Sequence, residues 1–180
     1  MSHFTVLVLV KPESENIEGE VSKVLAPFNE NTEVPEYKSF LSEEDVTRMR
    51  NFYQSEGKLS KEDTNLESLL PFMDEWHGER GGIEEGHLFY WSTYNPMSKW
   101  DWYTVGGRWS DAVPDNKARV CELPEDFIPY AVASEQGWNE KGKMGWFGIS
   151  FDENDEWPVT YKKLISEYQE HTAVLVDCHI

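Results

Sequence analysis

The chain has 180 residues and a formal net charge of −18, from 34 acidic and 16 basic side chains. This length is typical of one domain with a sizeable core, and the aromatic content of 14% argues against intrinsic disorder. So acidic a chain disfavours direct binding to a nucleic-acid backbone, and no apolar run is long enough to cross a bilayer.

Cysteine usage and the start of the chain indicate the compartment. Cys121 and Cys178 are too few and too far apart for a disulfide framework, which favours a reducing cytosol. The apolar opening lacks the basic flank and the cleavage site of a signal peptide. We therefore predict a cytoplasmic protein without a membrane segment.

The front of the chain predicts a strand and then a helix. His3–Val10 is apolar and rich in β-branched residues, as is typical of a strand buried on both faces. Apolar residues then recur at helical spacing within residues 14–25, which predicts a helix that Pro27 ends.

Residues 39–76 predict an insertion of two acidic helices into the domain. Ser42 can cap the first helix, because acids follow it in the first turn, and Gly57 can end it. A second helix is expected at about 60–76, with Pro71 kinking or ending it. We therefore expect a single domain over residues 1–180 that carries a helical hairpin.

The rest of the chain predicts mainly strands. Alternating patterns at 87–93, 101–105, 128–134 and 146–151 indicate strands, followed by a helix at 158–170 and an apolar strand at 171–180. The first and last strands are the most apolar and should lie together at the centre of the sheet. These elements predict an α+β fold with a mostly antiparallel sheet and helices on one face, of which a ferredoxin-like fold with the acidic hairpin inserted is one form.

Residues 88–110 concentrate tryptophan, tyrosine, glycine and two basic residues. In a strand, Trp100 and Trp102 would share one face and Asp101 the other, while Arg108 follows a Gly-Gly turn. One interpretation is a nucleotide pocket, with rings stacked on the base and cations on the phosphate. Its ligand-binding residues would be Trp100, Trp102, Arg108, Lys141, Lys143 and Trp146. A packed core and a protein-binding hot spot are the alternatives.

The last strand carries two groups suited to proton transfer. Asp177 and His179 are two residues apart and so share a face, and His3 would lie near them if the first and last strands pair. They are the candidates for a catalytic pair, with a solvated C-terminal edge as the alternative. The spacing fits no metal-binding motif, and no cofactor motif is present, so neither a metal nor a cofactor is predicted.

Most of the negative charge lies in the front half, where residues 12–86 contain 19 acids and 7 bases. Either these acids form a solvated face that keeps the protein monomeric, or they present a phosphate-like field to a basic partner. The second interpretation assigns partner binding to Glu43, Glu44, Asp45, Glu62, Asp63, Glu67, Asp74 and Glu75.

Three segments together resemble a group of uncharacterised proteins of bacteriophages and prophages: NPMSKWDWYTVGGRW (95–109), EKGKMGWFG (140–148) and VDCHI (176–180). The resemblance covers most of the chain outside residues 39–70 and carries no known activity. It implies a phage accessory protein that works in the bacterial cytoplasm.

On this basis we expect a non-enzymatic inhibitor of a host-defence nuclease, anti-CRISPR- or antirestriction-like. Its partner would be a basic CRISPR or restriction effector, bound in place of nucleic acid. The alternatives are a protein that sequesters or hydrolyses a signalling nucleotide, and a structural or assembly protein of the phage.

Overall fold

The computed structural model describes residues 2–145 and 149–180, which form two compact units. The first unit comprises Met1–Thr32 and Asn95–Ile180, and the second comprises Glu33–Tyr94. The insertion predicted at 39–76 lies inside the second unit. Trp146, one of the predicted ligand-binding residues, lies outside the described residues.

The described elements follow in chain order. The helices are α1 (Ile17–Leu25), α2 (Glu43–Ser55), α3 (Met73–His77) and α4 (Trp157–Ser166). The strands are β1 (His3–Val10), β2 (Tyr37–Phe40), β3 (Gly81–Glu84), β4 (His87–Ser92), β5 (Trp102–Val105), β6 (Lys117–Arg119), β7 (Ala131–Ser134), β8 (Gly137–Glu140), β9 (Lys143–Met144), β10 (Ser150–Phe151) and β11 (Thr172–His179). Short 3₁₀ turns occur at Ala26–Phe28, Glu67–Phe72, Gly107–Trp109, Pro114–Asn116 and Val120–Glu122.

The main sheet lies in the first unit and has the order β5–β11–β1–β7–β8, with β6 also pairing with β11. The first and last strands pair antiparallel along their whole length, from His3 opposite His179 to Val10 opposite Thr172. Their central position is confirmed, because β-branched apolar residues on both faces suit a strand covered on both sides. The pairing of β1 with β7 is parallel and the other pairings in this sheet are antiparallel.

Each face of the main sheet packs against its own helix. Val6 and Val8 contact the α1 side of the core, while Leu7 and Leu9 contact the α4 side. The α+β class and the mostly antiparallel sheet are therefore confirmed, but the expectation that the helices share one face is wrong. The alternation of an apolar strand supplies two hydrophobic faces, and each face needs a cover.

Local signals set the helix ends in the first unit. The Asn16 side chain caps α1 by accepting a hydrogen bond from Gly19 N at 3.0 Å, so the helix begins later than predicted. Pro158 lies in the first turn of α4, where a missing N–H costs nothing. The indole of Trp157 anchors the start of α4 through a 2.7 Å hydrogen bond to the carbonyl oxygen of Pro129.

The second unit contains a three-stranded antiparallel sheet of order β2–β4–β3 and the helices α2 and α3. Ser42 caps α2 as predicted, accepting from Asp45 N at 3.1 Å. The helix predicted at 60–76 is replaced by a loop, a 3₁₀ turn and the short α3, because Pro71 interrupts α-helical hydrogen bonding. The strand predicted at 87–93 forms as β4, but in this small sheet.

Within the described ranges, no helix combines the length and the apolar character needed to span a bilayer.

Candidate functional site

Three neighbouring strands place polar side chains in a row at one end of the main sheet. His3 on β1 lies opposite His179 on β11, which lies opposite Trp102 on β5. Asp177 is two residues from His179 and shares its face. The structure thus brings the candidate residues His3, Asp177 and His179 together.

The first polar pair joins His3 to Asp177, with 2.9 Å between His3 Nδ1 and Asp177 Oδ1. The Asp177 side chain is 2% exposed, and its second oxygen accepts a hydrogen bond from Arg108 N at 3.1 Å. Gly107 permits this approach, because a Cβ at that position would lie 2.4 Å from Asp177 Cβ. The Gly-Gly turn therefore has a structural purpose, which is to bring the backbone against a buried carboxylate.

The second pair joins His179 to Asp101, with 2.6 Å between His179 Nδ1 and Asp101 Oδ1. The same Asp101 oxygen accepts a hydrogen bond from Trp102 N at 2.7 Å. The Trp102 ring stacks on the His179 ring, with 5.0 Å between centroids and 16° between planes. His179 Nε2 is buried and has no hydrogen-bond partner among the described residues.

The two pairs are in contact, since the His3 and His179 ring centroids are 5.1 Å apart at 74°. We call His3, Asp101, Asp177 and His179 the His–Asp cluster. In both pairs a carboxylate contacts Nδ1, which orients the ring. Nε2 is the ring atom left to accept or donate a proton, as a general base or a general acid requires, and that of His179 is buried.

Two reactive side chains near the cluster, Cys178 and Thr5, are not arranged as nucleophiles. Cys178 faces the opposite side of the sheet, and burial, with the charge of Asp177 adding to it, raises the pKa of its thiol. The Thr5 hydroxyl accepts a hydrogen bond from Tyr130 N at 2.8 Å. Within the described part of the chain, no three His, Cys, Asp or Glu side chains are arranged to hold a metal ion.

The predicted pair of tryptophans does not share a face, so that expectation is wrong. Trp100 is 6% exposed in the α1-side core, where its Nε1 donates to Leu25 O at 3.1 Å, whereas Trp102 is 44% exposed. The physical reason is that β5 begins at Trp102 and Asp101 lies in a bend, so strand alternation does not extend back to Trp100. Trp100 is a core residue, and Trp102 belongs beside the His–Asp cluster.

The predicted cations also separate. Lys141 and Lys143 follow β8, at the far edge of the main sheet from β5, and form 2.8 Å ion pairs with Glu153 and Asp152. The backbone N–H of Arg108 donates to Asp177, which places this residue beside the cluster. The Arg108 side chain is exposed and forms no ion pair among the residues described. The structure therefore brings Trp102 and Arg108 together at the cluster and places the other described members of that set elsewhere.

The predicted partner-binding acids lie in the second unit, where several are engaged locally. Arg48 pairs with both Glu44 and Asp45, and Lys58 pairs with Glu75. Hydrogen bonds from serine hydroxyls, Ser60 and Ser68 respectively, are the largest cause lowering the pKa of Glu62 and of Asp63. No ion pair with a base is found within the described residues for Glu43, Glu62, Asp63, Glu67 or Asp74.

Sequence reasoning missed Asp101 as a site residue and the contact of Trp102 with His179. The pairing of β5 with β11 brings together residues 95–109 and 176–180, two of the segments that carry the phage resemblance. The other three residues of the cluster, His3, Asp177 and His179, were indicated by the sequence. The signal is an Asp-x-His at the end of the last strand and a histidine at the start of the first strand.

Comparisons with known proteins give no relative, because no family model, no curated protein and no solved structure matches the chain.

Proposed function

We propose that the His–Asp cluster is the general acid–base centre of an enzyme that hydrolyses a phosphate ester. The observation that carries this proposal is that two imidazoles are in contact, each with Nδ1 on its own carboxylate. One ring can act as base while the other acts as acid. This is the hydrolase form of the nucleotide alternative, and it joins the predicted catalytic candidates Asp177 and His179 to His3 and to Asp101, which the sequence did not indicate.

The reaction needs no nucleophile from the protein. One neutral imidazole removes a proton from water as the water oxygen attacks phosphorus, and the bond from phosphorus to the leaving oxygen breaks. The other imidazole, protonated beforehand, gives its proton to that oxygen. Each proton transfer of this kind contributes about 10²–10⁴-fold to the rate. Arg108 supplies a nearby cation for the phosphate oxygens.

Hydrolysis of the methyl riboside 2′,3′-cyclic phosphate, whose leaving oxygen is an alkoxide that needs a proton, tests this proposal with the whole chain. His3→Gln and His179→Gln should each lower kcat by about 10²-fold or more, because each removes one proton-transfer group. Their combined effect should be less than multiplicative, since the two groups act as a unit.

His87→Gln is the matched control, because His87 is exposed in the second unit and contacts the Glu85 carbonyl oxygen. It should retain full activity. Unchanged hydrolysis in the double variant of His3 and His179 would contradict the proposal.

A second candidate, the inhibitor of a host-defence nuclease in the bacterial cytoplasm, is favoured by the charge of the second unit. Residues 33–94 contain 14 acids and 6 bases, and five of the eight predicted partner-binding acids form no side-chain ion pair among the described residues. We propose that these acids would meet a basic nucleic-acid groove of a CRISPR or restriction effector.

Charge reversal tests the second candidate. Lys at Glu43, Glu62, Glu67 and Asp74 should abolish binding to such an effector, and wild-type binding should weaken as salt rises. Reversal of four acids of the first unit, Glu122, Glu125, Asp126 and Asp155, is the control for net charge. Equal loss of binding in both variants would show a general charge effect and would remove the second unit from the proposal.

A further inference from the structure

We infer that the substrate of the His–Asp cluster is a nucleotide phosphodiester whose base stacks on Trp102 and whose phosphate is bound by Arg108. This inference rests on the proposed function and adds the substrate class. Its starting point is that the cluster contacts both an accessible aromatic ring, that of Trp102, and the backbone of Arg108, whose exposed side chain has no ion pair among the described residues.

Trp102 is a fixed ring with an accessible surface. His179 stacks on it, and His3 meets it edge-on with 5.3 Å between centroids, so the indole is held in place on the cluster side. Even so, 44% of Trp102 remains exposed. An indole in this state offers a π-surface to a flat ring, and stacking of that kind tolerates any base.

Arg108 supplies a positive charge beside the His3–Asp177 pair. Its backbone N–H is bonded to Asp177, which holds the residue beside the cluster, while its side chain is exposed. A guanidinium presents parallel N–H donors that match two phosphate oxygens. Lys141 and Lys143 cannot take the place of Arg108, because they follow β8, at the far edge of the main sheet from β5. Both also form ion pairs there, with Glu153 and Asp152.

These positions fit a nucleotide better than a simple phosphate ester. A base on Trp102 places the sugar and its phosphate near His179 and His3. His179 Nε2 is buried without a partner among the described residues, and it meets the ester oxygen or the attacking water only when the substrate opens this edge of the cluster. Hydrolysis then adds one water across one P–O bond and gives a monoester and an alcohol. No other reactant is needed.

A matched pair of substrates tests the inference: adenosine 2′,3′-cyclic phosphate and the methyl riboside 2′,3′-cyclic phosphate, which lacks the base. The wild type should show a kcat/KM about tenfold or more higher for the first, given the usual value of base stacking. Trp102→Leu should reduce this preference to about one, and Trp102→Tyr should keep most of it. The measure is the ratio of the two kcat/KM values. An effect of the substitution on His179 would change both values equally and so would not change their ratio.

Arg108 is tested on the same two substrates. Arg108→Gln should lower kcat/KM for both by a similar factor, because the phosphate is common to them, and Arg108→Lys should restore part of it. Hydrolysis of both substrates without a preference for the base would overturn the nucleotide inference and leave the proposed function standing.

If there is no turnover, a binding measurement distinguishes the proposed acid–base function from the inferred nucleotide ligand. If neither cyclic phosphate is hydrolysed, the acid–base proposal fails, and calorimetry with adenosine 3′-monophosphate then decides the ligand class. Binding that weakens about tenfold in Trp102→Leu would support a nucleotide site. No binding at millimolar concentration would overturn the inference as well.

Discussion

The two units treat ionisable side chains in opposite ways. In the first unit, Asp177 and His179 are almost fully buried, and each has a specific partner on another strand or bend. In the second unit, Glu44 is 84% exposed and pairs with Arg48 one helical turn away. A buried ionisable pair requires well-placed partners to offset desolvation, whereas an exposed pair is screened by water and stabilises little.

The second unit has the higher density of acids, with 14 in residues 33–94, and α2 carries three of them in its first turn. In the first unit, four ionisable side chains, those of the His–Asp cluster, converge on one end of the main sheet, and Asp177 and His179 among them are buried. Groups that the fold positions at the cost of desolvation are better candidates for a site than groups that solvent surrounds.

The largest expected effect contrasts a buried and an exposed carboxylate. Asp177→Asn should lower the free energy of unfolding by about 2–4 kcal/mol, because it breaks the pair with His3 inside the protein. Glu75→Gln, which removes the exposed pair with Lys58, should cost less than about 1 kcal/mol. Urea denaturation of both variants measures the two values. Similar losses would mean that the two units do not differ in this way.

A second contrast concerns glycines of positive φ in the two units. Gly107→Ala should destabilise by about 2–4 kcal/mol and lower activity, because its Cβ would overlap Asp177 in addition to the backbone strain. Gly57 has a φ of +70°, and a Cβ added there would meet nothing within 4 Å, so Gly57→Ala should cost about 1 kcal/mol. Denaturation and phosphodiester hydrolysis distinguish the two. An active Gly107→Ala protein would show that the close approach to Asp177 is dispensable.

Much of the main sheet could be predicted from the sequence because its pattern is strong. The run at His3–Val10 and the apolar end of the chain determine β1 and β11, and Ser42 marks the start of α2 by its capping chemistry. The pairing of His3 with Asp177 followed from the alternation of side chains along two paired strands. Each of these signals lies within one segment of the chain or depends only on the pairing of the first and last strands.

The rest depends on contacts that no local pattern records. β5 pairs with β11, and this pairing moves Trp102 onto His179 while a bend at Asp101 turns Trp100 into the core. The small sheet of the second unit uses strands of four residues, β2 and β3, which are too short for a clear period of two. Prediction failed where the partner strand, and not the segment itself, decided the outcome.

The stability of the second unit should depend on pH through His77. Burial lowers the pKa of His77, with the charge of Asp45 acting in the opposite direction, so the folded unit favours the neutral ring. As the pH falls below about 6.5, the unfolded chain takes up a proton that the folded unit resists, and stability decreases. His77→Phe keeps a ring against Tyr90 and should flatten this part of the curve. An unchanged slope between about pH 7.5 and 5.5 would assign it to other groups.

The smallest expected effect tests whether burial alone makes a polar group valuable in the first unit. Burial raises the pKa of Tyr161 to about 12, and its hydroxyl has no hydrogen-bond partner among the described residues. Tyr161→Phe should therefore leave stability unchanged or raise it by up to about 1 kcal/mol. Tyr130→Phe should instead cost about 1 kcal/mol, since that hydroxyl lies 2.6 Å from the Gly142 carbonyl oxygen. Calorimetric melting of both variants compares them, and a large loss in Tyr161→Phe would mean that its hydroxyl has a bound partner, such as an ordered water.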